Sequence, residues 1–191
     1  MPNNSNHPKK GSIVFVEPIR TIAEINEVKN LLRGNPRDYA LFVVGINTAL
    51  RASDLLSLKV GDVKGNEALK REKKTGKVRR LTLNNAAITA LEPLLVGKSD
   101  DDLVFVSRKT KAQITVPSLN NMVKEWCRKC CIKGNFGSHS LRKTFGCIQR
   151  TVFNAEWEWL RLTYGHSNIL TTQRYLGIQP EEIERIYMNE I

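Results

Sequence analysis

His139 and Arg142 stand three residues apart in a stretch with helical spacing, so both side chains leave the same face and can address one anion. Arg51 directly follows the apolar run ending Thr48-Ala49-Leu50. A charge so close to buried sequence calls for an anionic partner, and Asp54, three residues on, is placed to orient the guanidinium. A third group lies further along. Gly165-His166-Ser167 separates two helical stretches, and the second of them carries Thr172-Gln173-Arg174-Tyr175-Leu176. Taken singly, each group has an ordinary reading: a surface His beside a solvated Arg, a helix-end Arg, a core or rim aromatic. Their company in one basic chain is what points to chemistry, and what these residue types share is the capacity to hold an anion.

Composition agrees. The 191 residues include 30 Lys plus Arg against 19 Asp plus Glu, for a net charge of +11, and the pI is near 9.7. A hydrophobic content of 41% is that of a folded protein and excludes a disordered acidic chain. The basic surplus favours polyanions, nucleic acid first and anionic membrane second. No apolar run approaches the roughly 20 residues that span a bilayer, and the longest candidate, Ala40 to Ile46, is broken by Gly45. Met1 to Lys10 lacks the apolar stretch of a secretory signal, so a soluble, cytoplasmic protein without a membrane partner is expected. Cys127, Cys130, Cys131 and Cys147 crowd into the last third. Cys127 and Cys130 have CxxC spacing, but no second CxxC or paired histidines complete a zinc site, so helix thiols and no metal are expected.

The elements that must position these groups follow from spacing and caps. Thr21-Ile22-Ala23-Glu24 has the form of a capping box opening a helix that stops near Gly34-Asn35-Pro36. Pro36 opens a second, largely buried helix to Leu50, and Ser53 caps a short third helix, Asp54 to Leu58. Ala68 to Glu72 and Val78 to Leu83 read as strands flanking a cationic turn, Lys73-Lys74-Thr75-Gly76-Lys77. Asn84 or Asn85 caps a helix to Leu95, Leu103 to Val106 reads as a short strand, and Pro117 to Cys131 as a helix. Helices over Ser138 to Arg150, Asn154 to Thr163, Asn168 to Tyr175 and from Pro180 complete the chain. The expectation is a mainly helical α+β domain with a small antiparallel β-sheet at one edge, over 18–191, preceded by a flexible basic arm, 1–17.

In their order, these residues resemble the catalytic domain of the tyrosine recombinase, or phage integrase, family over roughly Thr21 to Ile191. Thr48 to Leu58 looks like its first arginine box, Lys74-Thr75-Gly76-Lys77 like the hairpin with its lysine, and His139-Ser140-Leu141-Arg142 like its second box. Gly165-His166-Ser167 is similar to the later histidine motif, and Thr172-Gln173-Arg174-Tyr175 to the segment bearing the nucleophile. The resemblance implies transesterification at a DNA phosphodiester through a 3′-phosphotyrosyl bond, with no ATP, cofactor or metal. It assigns Tyr175 as nucleophile, Arg51 and Arg142 as the phosphate clamp with Asp54 in support, His139 as proton acceptor and His166 as a further phosphate donor. Lys74 is favoured as the acid for the departing 5′ oxygen, with Lys73 and Lys77 close enough to compete. Lys73, Lys77, Arg79 and Lys143 are expected to contact DNA.

The sequence also departs from the resembled pattern. Lys143 stands where many members have a second histidine, and Tyr164 where a leucine is usual before the Gly-His pair. Full recombinases carry a helical core-binding domain ahead of the catalytic one, and fewer than two dozen residues precede the first helix here, which implies weak, salt-sensitive affinity for double-stranded DNA. The terminal helix, with Ile183, Ile186 and Tyr187, resembles the segment such enzymes pack on a neighbouring protomer, so self-association on DNA is expected through it. Two alternatives keep the fold: a DNA-binding regulatory module without turnover, and relaxation of supercoils in the manner of type IB topoisomerases.

Overall fold

A computed structural model describes residues 15–65, 67–71, 76, 78–177 and 180–190. Helix α1 (Ile22–Leu32) opens on the expected capping box and buries Ile25, Val28 and Leu32. In the box, Glu24 N–H donates to Thr21 Oγ1 at 3.1 Å while the Glu24 carboxylate accepts from Thr21 N–H. Helix α2 (Pro36–Thr48) starts on Pro36 with Asn35 as cap. Its run from Ala40 to Ile46 is buried throughout, which makes it the central helix of the domain. It stops because Ala49 turns left-handed, at φ 52.

That turn is followed by Leu50 and Arg51, and then by α3 (Ala52–Leu56). Arg51, not Ser53, is its first flanking residue: the Arg51 carbonyl accepts from the Asp54 and Leu55 N–H groups, both at 2.9 Å. The sequence reading therefore misplaces this cap. Beyond a 3₁₀ turn at Val60–Val63, strands β1 (Glu67–Arg71) and β2 (Val78–Thr82) pair antiparallel, from Glu67 opposite Thr82 to Arg71 opposite Val78. Leu103 to Val106 does not form the expected strand. It makes single bridges, Leu103 to Lys59 and Val106 to Gln113, because the segment facing it coils into the 3₁₀ turn after one rung. Among the described residues the sheet holds two strands, and the architecture is mainly helical.

Helices α4 (Asn85–Leu95) and α5 (Val116–Lys129) pack the other side, capped by Asn84 and Thr115. Helix α6 (Ser138–Thr151) runs between α2 and α5, and α7 (Trp157–Tyr164), α8 (Ile169–Leu176) and α9 (Pro180–Tyr187) follow. Helix α7 begins at Trp157 rather than Asn154. Asn154 is left-handed at φ 56, and the Ala155 carbonyl is drawn back to Arg150 Nη1 at 2.9 Å, so the link folds onto α6 first.

Two apolar clusters result. The main one joins side chains of α1, α2, α4, α5 and α6, each large buried residue contributing about 1.5–3 kcal/mol. A smaller one, Ala49, Leu160, Tyr164 and Leu176, with Phe145, Trp157 and Tyr175 against it, ties the end of α2 to α7 and α8. Of the expected arm, Phe15–Glu17 fall among the described residues, and they are tied down: Glu17 N–H donates to Asn135 O at 2.8 Å and Asn135 Nδ2 to Phe15 O at 2.7 Å. The four cysteines are free thiols, and burial pushes the Cys127 thiol up to about 12, out of reach of thiolate chemistry. Among the described residues no helix is long and apolar enough to cross a membrane.

Candidate active site

The smaller cluster underlies the site. Arg142 leaves the buried face of α6 and is only 4% exposed. Its Nη1 donates to the Ala49 carbonyl and its Nη2 to the Tyr164 carbonyl at 3.0 Å. These two oxygens end α2 and α7, where backbone carbonyls lack helical partners and the helix dipoles are negative. The buried guanidinium is thereby held against the carbonyl ends of two helices. Arg51, at the start of α3, sits 3.8 Å from Asp54, whose carboxylate is buried at 1% side-chain exposure. Asp54 thus lies beside the Arg51 guanidinium.

His166 follows Gly165, which adopts φ 66 at the end of α7, a left-handed turn that suits a residue without Cβ. The turn is clamped by Arg161, whose carbonyl accepts from His166 N–H and whose Nη1 donates to His166 O, both at 3.0 Å. Glu158 holds that arginine through two hydrogen bonds. The imidazole Nδ1 lies 2.9 Å from Thr172 Oγ1, one turn before Tyr175 on α8. Tyr175 brings its ring to 5.6 Å from His166 and 5.4 Å from Tyr164, edge to face in each case. Its Oη is buried next to the Arg142 guanidinium, whose charge and side-chain hydrogen bond both favour the phenolate. Burial pushes the phenol above the ordinary tyrosine value, while the positive charges of Arg142 and then Arg51 pull against it.

His139 stands on the same face of α6 as Arg142, one turn earlier, and reaches the surface. Its imidazole is held below its ordinary value, first by partial burial and then by the Arg142 and Lys143 charges. Lys143 is not on the surface, where a DNA contact would require it. It is 5% exposed, with Nζ 3.6 Å over the Phe15 ring and 5.3 Å over the Tyr175 ring. The tied-down segment before α1 folds across it, and burial, followed by the Arg20 charge, lowers its pKa against the opposing pull of Glu17. Lys73, Lys74 and Lys77 lie outside the described residues. Arg79 occupies β2 opposite Lys70, with its side chain outside the description.

The structure therefore brings Arg51, Arg142, His166 and Tyr175 into one cluster, with Asp54 behind it and His139 on the adjoining turn. Two participants escape sequence reading. Thr172 is signalled only by its place three residues before Tyr175, and Tyr164 only by preceding the Gly-His pair. Among the described residues no three His, Cys, Asp or Glu side chains gather as metal ligands. Two guanidinium groups and an imidazole around a phenol can bind an oxyanion and stabilise charge that develops on it.

Known proteins share this arrangement of chain. The probable integrase/recombinase YoeC of Bacillus subtilis (strain 168) is 36% identical over 177 residues, covering 91% of this chain and 96% of that protein. The tyrosine recombinase XerC of Caldanaerobacter subterraneus subsp. tengcongensis is 29% identical over 171 residues, covering 85% of this chain and 48% of that one. The chain thus spans nearly all of the first and about half of the second. Among solved structures, XerA recombinase superposes with a TM-score of 0.76 at 22% identity, over 93% of this chain and 68% of that one. XerH recombinase, bound to palindromic difH substrate in a post-cleavage complex, gives 0.71 at 18% identity, over 95% and 55%. Residues 21–182 match the phage integrase family, a span that takes in both arginines, both histidines and the tyrosine, and the chain belongs to that family.

Proposed function

We propose that this chain is a site-specific recombinase that breaks and rejoins DNA strands by transesterification. One observation carries the reading: the Tyr175 hydroxyl is buried where the charge and side-chain hydrogen bond of Arg142 and the charge of Arg51 all favour its phenolate. A phosphodiester seated between the two guanidinium groups would give that oxygen a phosphorus to attack.

In the step proposed, Tyr175 Oη bonds to phosphorus as the bond from phosphorus to the 5′ oxygen breaks, leaving a 3′-phosphotyrosyl link and a 5′-hydroxyl. The phenol proton passes to His139. Charge gathering on the non-bridging oxygens is met by Arg51 and Arg142, with His166 as a further donor. Lys74, with Lys73 and Lys77 as neighbours able to replace it, protonates the departing oxygen. The ester bond is conserved, so a 5′-hydroxyl can reverse the step on another strand with no external energy source. Lys73, Lys77 and Arg79 are proposed to hold the DNA backbone near the hairpin.

The proposed partner is double-stranded DNA, joined by a second copy of this chain. A solved lambda integrase structure, which this fold matches with a TM-score of 0.66, is a dimer bound to a core site. Here α9 is moored by polar contacts, Arg150 to Glu182 and Arg185 to Asn154. Ile183, Ile186 and Tyr187 stay exposed at 49%, 69% and 83%, a face suited to another protomer.

A nicked suicide duplex, from which the 5′-hydroxyl fragment diffuses away, tests the reading. The expected product is a detergent-resistant protein–DNA adduct that disappears in Tyr175→Phe. DNA binding with no adduct would leave a binding module, and relaxation of plasmids lacking a particular site would instead point to a topoisomerase.

A further inference from the structure

The geometry points to Tyr164 as a positioning residue for the reaction, an aromatic platform that fixes Arg142 and His166 with respect to Tyr175. The inference rests on the catalytic reading above and adds a residue to which neither sequence nor resemblance gives a role. Tyr164 is fully buried, at 0% exposure, and its ring meets three residues of the site. The Arg142 guanidinium carbon lies 4.6 Å from its ring centroid, within range of a cation–π interaction. The His166 imidazole stacks on the same ring at 5.2 Å and 14°, and the Tyr175 ring meets it at 5.4 Å and 64°. Phe145 closes another side at 6.2 Å.

The polar ends of Tyr164 are engaged as well. Its hydroxyl donates to Arg142 O at 2.8 Å, and its carbonyl accepts from Arg142 Nη2 at 3.0 Å. The tyrosine thus grips Arg142 at backbone, guanidinium and π face together. Burial raises the phenol's pKa, so it stays a protonated donor at working pH. The chain has made room for this side chain: a Cβ on Gly146 would meet the Tyr164 hydroxyl and, at 2.7 and 2.8 Å, the Leu176 methyl groups. A leucine at position 164 would fill part of the volume but offer no π face to the guanidinium or the imidazole and no donor to α6. Misplacement of a phosphate-holding group by a fraction of its bond length is enough to slow a displacement that needs several groups aligned at once.

Two variants and one spectrum test this. In the wild type, the His166 ring protons, assigned by their absence in His166→Gln, should resonate upfield of solution positions through the Tyr164 ring current. They should stay there in Tyr164→Phe and move downfield in Tyr164→Leu. With saturating suicide duplex below the unfolding range, Tyr164→Leu should form adduct about tenfold or more slowly, while Tyr164→Phe, which keeps the ring, recovers most of the rate. Wild-type His166 protons at solution positions would overturn the inference without any variant having to fold. So would a Tyr164→Leu protein that melts earlier yet cleaves at the wild-type rate. If the wild type gives no adduct, the catalytic reading fails, and the imidazole resonances still decide whether Tyr164 positions His166.

Discussion

The proposed proton transfer from Tyr175 to His139 would join two groups whose environments work against a free exchange. Burial raises the phenol, and burial with two neighbouring cations lowers the imidazole. Ordinary values near 10 and 6.5 are already more than three units apart, so a free phenolate made by His139 alone would be scarce. The proton must leave as the bond to phosphorus forms, when the phenol oxygen becomes far more acidic and Arg51 and Arg142 take up the charge. A lowered imidazole pKa suits that task, because His139 is then neutral and able to accept at pH 7. The rate of adduct formation should accordingly fall on the acid side as His139 is protonated, with its midpoint below the ordinary 6.5. Replacing His139 by Gln should abolish that limb and lower the plateau by about 10²–10⁴-fold. Folding is linked in the same sense. Between the depressed folded value and the unfolded one, the unfolded chain binds more protons, so this histidine's contribution to stability is present above 6.5 and is lost as pH falls through the folded value. A midpoint at or above 6.5 would contradict the placement of His139 beside Arg142 and Lys143.

Helix α6 carries two of these groups, and its position depends on small residues where other helices cross it. A Cβ on Gly146 would intrude on Tyr164 and Leu176, and one on Gly45 of α2 would lie 2.7 Å from Leu141 Cδ1. Gly146→Ala should therefore push α7 and α8 off α6 and destabilise the fold by about 1–3 kcal/mol, measured by urea unfolding. Gly34→Ala is the control, since nothing lies within 4 Å of a Cβ there. Equal midpoints for the two variants would show that the close crossing at Gly146 does not exist in solution. This dependence also shows which parts of the fold can be read from sequence. Caps are local chemistry: Thr21 with Glu24 marks its helix as read, and of Asn84 and Asn85 the structure uses Asn84. Ser53 misleads because the left-handed Ala49 shifts the start of α3, and Leu103 to Val106 misleads because a strand needs a neighbour that stays extended. The same division runs through the site. Residue types and their order pick out Arg51, Arg142, His166 and Tyr175, whereas the burial of Lys143 under Phe15 and the grip of Tyr164 on Arg142 arise from long-range packing that no spacing records.

The net charge of +11 belongs to the molecule as a whole, and its effect depends on how much of it reaches a phosphate backbone. Many cations are already matched at the surface: Lys59 with Asp101, Lys64 with Asp100, Arg128 with Glu125 and Arg161 with Glu158. Such exposed pairs contribute little to stability, but they withdraw charge from long-range attraction. Lys143, buried under Phe15, does not reach a backbone either. The cations proposed to meet DNA are Arg51 and Arg142 at the reacting phosphate, together with Lys73, Lys74, Lys77 and Arg79, a set that would serve about five phosphates. Each neutralised phosphate contributes about −0.9 to the slope of log affinity against log salt. Binding to a labelled duplex, followed by anisotropy with Tyr175→Phe to prevent covalent attachment, should thus weaken with a slope of roughly −4 to −5. Changing Arg79 or Lys73 to Gln should make that slope shallower by about one unit and weaken binding equally on every sequence, because a phosphate contact carries no base information. Lys143→Gln should leave the slope unchanged, since its ammonium faces two aromatic rings rather than solvent. A slope shallower than about −2, or a Lys143→Gln protein that loses a full unit, would mean that a different set of cations meets the backbone.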